Sequence, residues 1–467
     1  MGQAARLFNG TAEHTLLGKI TPTQEQRNYL QTQWNELADF LKHELSNRYG
    51  YSVKTWIQGS YKYGTLIKPV KKGHQYDVDL GVYFEWARDN DPKPIPKQLR
   101  DWVQSALIDF KNQTPAIRLI ETPPKERCSR AVYDGSFHID TPVYHLDPGT
   151  DIRRLACWSN EWEGSDPKKL YKWFRDELNS IDDSDQLRRL IRYLKGWAVV
   201  AFEGSELARP SSIFLTVLVT EIRASEIWFS KKDDDDALHI MAHKIYDRVV
   251  ADRVLLNPIE SSEDLNRIHK DNWGDFVNRL SALCDAAEKA KNANDEATAA
   301  LAWSEAFFYL MPLPESESLE IVEEASGTAL MQIPNIKIDV FKANPRTLTA
   351  TYANEVPSAA KNCELVFTIT NPEVVPQYAV IEWTVRNDEG EAESIGDMGH
   401  TSGGINQLQM TEHTAYAGKH YMDCVVKHNG QVYALRRVPV TIKDVTYPPR
   451  NPPAPSYTKL RSIKKRR

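Results

Sequence analysis

Cysteine is scarce in this chain, and what there is lies scattered. Cys128, Cys157, Cys284, Cys363 and Cys424 are five in 467 residues, an odd number with no Cys-x-x-Cys pair. That excludes a disulfide framework or a structural zinc ligand set as the organising device, and it fits a reducing cytosol. Long apolar runs are also missing. None approaches the ~20 residues that a membrane-spanning helix needs, so no membrane partner is expected. Residues 1–11 lack the apolar core of a secretory leader, and Gly2 and Thr11 are too far apart for a myristoylation pattern. A cytoplasmic location follows as the expectation. Finally, positive charge is not in excess. Lys and Arg number 58 against 64 Asp and Glu, for a net charge of −6. A protein that tracks a duplex backbone usually carries a large positive excess, so a nucleic-acid polymer is not the default partner, although a basic cleft can sit on an acidic protein.

The length predicts two or three domains. Residues 21–48 read as one amphipathic helix, with Leu30, Trp34, Leu37, Leu41 and Leu45 at helical spacing and Thr23 with Gln26 as a capping box. Short β-like runs follow: Val53–Ile57, Asp77–Phe84 and Phe137–Asp140, the last ended by Pro142. A helix is expected at Ile95–Phe110. Residues 1–165 therefore read as a mixed α/β domain. Residues 166–312 turn helical, with helices at Ser184–Ala201, after Pro210-Ser211-Ser212, and across Leu280–Phe308. Lys231-Lys232-Asp233-Asp234-Asp235-Asp236 reads as a solvated loop, since it lacks the spacing and turn glycine of a calcium loop.

Residues 313–335, rich in Pro and Glu-Ser, read as a linker. Residues 336–445 form an all-β domain of sandwich size. Its strands are Ile336–Val340, Glu364–Thr370, Val380–Arg386, Tyr421–Lys427 and Tyr433–Ile442, with turn signals at 387–390 and 428–430. Trp383 reads as a core tryptophan. His400, His413, His420 and Cys424 match no metal-ligand spacing and read as ordinary β-domain side chains. Residues 446–467 are a Pro-rich tail ending in Lys464-Lys465-Arg466-Arg467, read as disordered and solubilising.

One set of residues carries chemistry. In a strand, residues two apart share a face, so Asp77 and Asp79 lie side by side with Val78 directed into the core. Asp140 lies on a separate β-like run and shares its face with His138, which reads as a structural histidine. Upstream, Gln58-Gly59-Ser60-Tyr61 sits where a strand passes into a turn; a glycine there allows backbone to approach phosphate, and the serine hydroxyl can hold oxygen anions. Three carboxylates suit Mg²⁺, a hard, oxygen-seeking ion, and two such ions would neutralise a triphosphate and poise a hydroxyl for phosphoryl transfer. A Gly-Ser or an Asp-x-Asp alone is a weak signal. The two in this order, in strand context and with a third acid, are a strong one.

This constellation resembles the nucleotidyltransferase superfamily of DNA polymerase beta. The string Gln58–Thr65, the long preceding helix and Leu190-Ile191-Arg192-Tyr193-Leu194-Lys195-Gly196-Trp197 are similar to the branch that holds cGAS, the oligoadenylate synthases and the bacterial dinucleotide cyclases, over about residues 20–312. The resemblance implies an α+β fold: a polymerase-beta-like core with a helical domain, followed by a separate all-β sandwich-like domain. It also implies catalytic and metal-binding roles for Asp77, Asp79 and Asp140, with two Mg²⁺ ions (Mn²⁺ as an alternative), and nucleotide contacts from Gln58, Gly59 and Ser60. Lys195 and Ser212 are the best matches to a lysine and a serine that contact the triphosphate, with Arg192 and Ser211 as competitors. Asn257-Pro258 matches a late element of the helical half. The zinc cysteines of cGAS are absent, so activation by duplex DNA is not implied. Glu382–Asn387 and Tyr416–Cys424 resemble the adenylyl/guanylyl cyclase and SMODS C-terminal sensor, which implies a regulatory nucleotide on that domain.

The implied activity is synthesis of a cyclic di- or trinucleotide from ATP, GTP or other triphosphates. The product would signal to a downstream effector in bacterial anti-phage defence. A protein, an RNA end or a small molecule as acceptor is the alternative. A non-catalytic nucleotide binder is the third reading, disfavoured because it has no need of three mutually repulsive carboxylates.

Overall fold

The computed structural model describes residues 2–446 apart from 13, 88–92, 136, 226–231, 315–332, 344–345, 388–389 and 430. Most of the expected linker, the basic tail beyond residue 446, Lys231 and the centres of the turns at 387–390 and 428–430 lie outside the described residues. Two compact units form, Met1–Ala325 with Ile395–Gly399, and Ser326–Ser394 with His400–Arg467.

In the first unit α1 (Ala5–Phe8) and α2 (Leu16–Ile20) precede α3 (Gln24–Tyr49). Helix α3 starts where the capping box predicts. The Thr23 hydroxyl accepts from the Gln26 N–H at 3.2 Å and the Gln26 side chain accepts from the Thr23 N–H at 2.9 Å. Gly50, at φ +73°, ends it. Then come β1 (Ser52–Gln58), α4 (Gly59–Tyr63), β2 (Tyr76–Glu85), α5 (Pro96–Gln113), β3 (Ile117–Ile120), β4 (Ser129–Tyr133), β5 (Phe137–Thr141), β6 (Val143–Asp147), β7 (Ile152–Ala156) and β8 (Trp162–Gly164).

They build one sheet in the order β3-β4-β5-β2-β6-β7-β8, with β1 also on β2. Strand β2 is its hub. It runs antiparallel to β1 along seven residue pairs. Its first half is parallel to β5 and its second half to β6. Val78, Leu80, Val82 and Phe84 are fully buried and pack with Leu37 and Leu41 of α3 and Leu99, Val103 and Leu107 of α5. Each such side chain contributes roughly 1.5–3 kcal/mol through burial.

The helical part comprises α6 (Pro167–Asn179), α7 (Ser184–Ala201), α8 (Ser212–Ser225), α9 (Asp234–Ala251), the short strands β9 (Leu256–Asn257) and β10 (Glu260–Asp264), α10 (Lys270–Lys291) and α11 (Glu296–Phe307). Two expectations are corrected here. The helix expected across Leu280–Phe308 is two helices. Helix α10 stops at Lys291, and Asp295 caps α11 by accepting from the Thr298 N–H at 2.7 Å, because an Asn-Ala-Asn-Asp stretch favours caps over helix interior.

The aspartate run is not a solvated loop either. Asp234 is 2% exposed, opens α9, and binds Arg189 Nε at 2.6 Å and the Tyr193 hydroxyl at 2.7 Å, both on α7. Asp233 and Asp235 accept from the N–H groups of Gly2 and Ala4 at 3.0 and 2.9 Å. Acids favour the positive end of a helix, and their partners come from segments remote in sequence.

The second unit holds β11 (Ile336–Ala343), β12 (Arg346–Ala353), β13 (Val356–Lys361), β14 (Cys363–Ile369), β15 (Val380–Asn387), β16 (Gly399–Ile405), β17 (Gln409–His413), β18 (Gly418–His428) and β19 (Gln431–Thr446). They form two sheets, β12-β11-β14-β17 and β13-β19-β18-β15-β16. Ile338, Leu365 and Phe367 of the first share a core with Ile381, Trp383, Met422 and Val438 of the second. Trp383 is fully buried, its indole N–H donating to the Gln407 carbonyl at 3.0 Å. The four strands that the sequence pattern does not announce, β12, β13, β16 and β17, are all edge strands. An edge carries little apolar signal. His400 pairs with Glu412, and His420 with Asn387 and the Tyr416 carbonyl, so these histidines belong to separate local contacts.

Asp423 is a charged side chain sealed within this unit. It is fully buried between Arg386 Nε at 2.5 Å and Arg437 Nε at 2.8 Å. Burial alone would raise its carboxyl, but Arg437 and Arg386 hold it below the usual carboxylate range. A depressed folded-state pKa contributes stability that is complete above about pH 4 and is lost as pH falls through the depressed value. We expect Asp423→Asn, which removes the buried carboxylate that both guanidinium groups hold, to destabilise this unit by about 3–5 kcal/mol at neutral pH. Denaturant unfolding of the full chain at pH 7 and at pH 3 tests this. The variant's deficit should shrink at the lower pH, and an equal deficit at both contradicts the account.

Candidate active site

The alternation of β2 places the acids. Val78 and Leu80 are buried on one face, and Asp77 and Asp79 take the other. The Asp77 side chain is 57% exposed, while Asp79 is partly and Asp140 largely buried. The parallel register with β5 sets Asp77 beside His138 and Asp79 beside Asp140. The third acid therefore stands directly across from the second.

The electrostatics follow from this crowding. Burial, then the charges of Asp77 and Asp140, hold the Asp79 carboxyl well above the usual carboxylate range, with Arg130 and Lys195 offsetting only in part. Asp77 goes the other way. Burial would raise it, yet the hydrogen bond and charge of His138, with Arg130 and Lys125, hold it low. His138 Nε2 lies 2.9 Å from Asp77 Oδ1 and Nδ1 lies 3.1 Å from Gln75 Oε1. Both ring nitrogens of this histidine are thus bonded within the protein, one of them to an acid of the site. Ligand atoms of Asp77, His138 and Asp140 all lie within 4.8 Å of one another. Converging carboxylates of which one is forced toward its neutral form are a donor set that a divalent cation would relieve, and the residues fit such an ion.

Two residues that sequence reasoning missed hold Asp140. Arg130 grips it as a fork, Nε to Oδ1 at 2.6 Å and the terminal nitrogen to Oδ2 at 2.8 Å, and Cys128 Sγ donates to Oδ2 at 3.2 Å. Arg130 faces Asp140 across the β4–β5 ladder. The signal was present: Asp134-Gly135 between two β-like runs marks a hairpin, and its register fixes this pair.

Gly59 brings the opening of α4 onto the acids. It adopts φ +64°, and a Cβ placed on it would lie 2.0 Å from Asp79 Oδ2. Ser60 stands in the first turn of α4. The Gln58 amide is buried and taken up by the protein: it accepts from the Tyr83 hydroxyl at 3.1 Å and donates to the Tyr144 hydroxyl at 3.3 Å. The turn after α4 is gripped by three cations along one face of α7. Arg188 Nε donates to the Tyr63 carbonyl at 3.4 Å, Arg192 to the Gly64 carbonyl, and Lys195 Nζ to the Thr65 carbonyl and hydroxyl at 3.2 and 3.0 Å. Burial and the neighbouring Arg192 push Lys195 down to about 7, against the pull of Asp77 and Asp79. Ser211 caps α8 by accepting from the Phe214 N–H at 3.3 Å, and Ser212 is exposed in its first turn. Asn257, at the end of β9, is bonded locally to Glu263 and the Ile259 N–H.

Residues 53–144 match the family of the nucleotidyltransferase domain of DncV-like cyclic GMP-AMP synthases. Residues 319–443 match the Adenylyl/Guanylyl and SMODS C-terminal sensor domain. A cyclic GMP-AMP synthase of Escherichia albertii is 27% identical over 415 residues, covering 88% of this chain and 89% of that one. A c-di-GMP synthase of Roseivirga ehrenbergii is 24% identical over 304 residues, 57% of this chain and 76% of that one. The 3′-deoxy ATP bound form of Vibrio cholerae DncV superposes with a TM-score of 0.57 at 20% identity, over 67% of this chain and 96% of that one, a likeness of fold. The chain is thus a nucleotidyltransferase, an enzyme with a mixed helix-and-sheet catalytic unit. Within that class residues 53–144 are similar to the cGAS/DncV-like enzymes, and residues 319–443 to the C-terminal sensor domain. Among the described residues no helix is long and apolar enough to cross a membrane.

The close approach at Gly59 gives a direct test. In Gly59→Ala the left-handed conformation costs about 1–2 kcal/mol, and the added methyl must displace Asp79. Pyrophosphate release should fall by about 100-fold, with only a modest drop in thermal midpoint. Normal turnover would show that the contact between Gly59 and Asp79 has no bearing on catalysis.

Proposed function

We propose that this enzyme joins nucleoside triphosphates, ATP and GTP first among them, into a cyclic dinucleotide. Asp77, Asp79 and Asp140 would hold two divalent ions, Mg²⁺ with Mn²⁺ as an alternative. The observation that carries the reading is the register that stands Asp79 beside Asp140 and Asp77 beside His138. The names of the relatives from Escherichia albertii and Roseivirga ehrenbergii support the product class.

When bound, the ions neutralise triphosphate charge and lower the proton affinity of the attacking hydroxyl. The chain's own residues do the positioning. His138 keeps Asp77 aimed outward. The Arg130 fork takes one acceptor position on each Asp140 oxygen and Cys128 a second on Oδ2, which fixes the carboxylate and leaves further capacity on Oδ1. Gly59 allows backbone near the phosphates, where the Ser60 hydroxyl can donate to them. Lys195, with Ser211 and Ser212 at the start of α8, would contact the triphosphate, helix starts being favourable to anions. The hydroxyl oxygen bonds to the α-phosphorus as the bond to pyrophosphate breaks, and a second such step closes the ring. In the cell the product would act on a downstream effector in anti-phage signalling in the cytoplasm. The sensor domain would bind a nucleotide and adjust the rate.

The test is incubation with all four labelled triphosphates, phosphatase treatment and mass spectrometry. Phosphatase-resistant cyclic dinucleotides are expected, and they should fall by more than about 10³-fold in Asp77→Asn with Asp79→Asn. Label on a protein or RNA would instead support the alternative acceptor. Undiminished product from the double variant would remove the acids from the mechanism.

Lys195 makes a second prediction. A neutral amine offers the triphosphate no charge, so kcat/KM should decline as pH rises above about 7. That limb should flatten in Lys195→Ala. A profile identical in wild type and variant would assign the limb to another group.

A further inference from the structure

Far along the chain from the acids, helix α9 carries His239 and His243. Four residues apart, the two rings share one face, with their centroids 4.9 Å apart. Glu288 of α10 reaches them from the neighbouring helix. Its Oε2 lies 2.8 Å from His239 Nε2 and 3.9 Å from His243 Nε2.

The other oxygen of Glu288, Oε1, accepts from Asn292 Nδ2 at 2.9 Å. This is the kind of outer contact that orients a ligating carboxylate. Two neighbouring cations are engaged elsewhere, Lys291 with Asp236 at 2.7 Å and Lys289 with Glu305 at 2.7 Å. His243 Nε2 is covered from solvent and has no hydrogen-bond partner among the described residues, although the side chain as a whole remains 43% exposed. A covered imidazole nitrogen, aimed at a carboxylate too distant to bond, is left wanting an atom between them.

We propose that His239, His243 and Glu288 form a second metal site, which takes a zinc-class divalent ion and joins α9 to α10. Zinc binds imidazole nitrogen and carboxylate oxygen at about 2.0–2.2 Å in tetrahedral geometry, which sets neighbouring ligand atoms roughly 3.3 Å apart. The two separations found here, 2.8 and 3.9 Å, bracket that value, and ligand atoms of all three residues lie within 4.8 Å of one another. The ion would replace the proton now shared between His239 and Glu288. Two imidazoles favour zinc, nickel or copper over magnesium, which separates this site by chemistry from the carboxylates of the catalytic sheet.

Three protein ligands leave a fourth position for water. Because its ligands come from two packed helices, the role we assign it is that of a brace. Helix α9 also carries Asp234, which binds Arg189 and Tyr193 on the helix that presents Lys195. Fixing α9 therefore steadies the nucleotide-facing side of the helical part.

The test uses the full chain, stripped by chelator and then equilibrated with Zn²⁺ in excess Mg²⁺ so that the acidic site prefers magnesium. Bound zinc is counted by atomic emission, and the thermal midpoint is read with and without Zn²⁺. Co²⁺ absorption reports the coordination. Wild type and Asp77→Asn should retain about one zinc more than His243→Ala or Glu288→Gln, and only the first two should gain thermal stability from Zn²⁺. Asn292→Ala should bind about tenfold more weakly. Equal zinc content and equal thermal shift in wild type and His243→Ala would overturn the proposal. Because the readout is metal content and stability, that outcome would leave the proposed catalytic function standing.

Discussion

The catalytic unit is organised around like charges held close together. Asp77, Asp79 and Asp140 converge because a ten-residue strand presents two of them on one face and a parallel neighbour presents the third in register. The conflict is not relieved within the protein, since Asp79 is driven toward its neutral form. It is managed at the edges: His138 compensates Asp77, and Arg130 compensates Asp140. Asp79 is left as the acid whose charge depends most on what enters the site. Gly59 tightens the arrangement, because its missing side chain lets the turn after β1 close onto the Asp79 carboxylate.

The helical part answers with positive charge that is itself under constraint. Arg188, Arg192 and Lys195 occupy successive turns of α7, and each takes a carbonyl of the turn after α4. That ladder ties the helix to the Gly-Ser segment through backbone groups, which are insensitive to side-chain identity at positions 63–65 except for the Thr65 hydroxyl. Because Lys195 is buried beside Arg192, it is charged only in part at neutral pH. An incoming triphosphate would complete its protonation, so the site gains positive charge at the moment it is needed.

The period-two placement of Asp77 and Asp79, the Gly-Ser turn, the capped helix after Thr23 and the strand carrying Asp140 were legible because each is a local pattern. What was not legible depends on partners remote in sequence. Arg130 could be placed only by pairing β4 with β5 through the Asp134-Gly135 turn. The run Asp233–Asp236 looked solvated because its partners, Arg189, Tyr193 and the N–H groups of Gly2 and Ala4, lie far away in sequence. Gln58 carried the sequence signature of the site, yet its amide is bonded to two tyrosines of the sheet. The edge strands β12, β13, β16 and β17 were silent because an edge has one neighbour and little to bury.

Strand β2 meets β5 and β6 in succession on the same side, and the residue between those two strands is Pro142, whose carbonyl accepts from the Val82 N–H at 2.9 Å. A one-residue misregister of β2 would turn its apolar face to solvent and be rejected at once. A two-residue misregister is the more dangerous error. It keeps every face correct while moving Asp79 opposite His138 and leaving Asp140 without its neighbour. Pairing on the other edge opposes that slip, because seven residue pairs with β1 would have to break together with those to β5 and β6. Partners on both edges of β2 thus guard a spacing that hydrophobic burial alone would not distinguish.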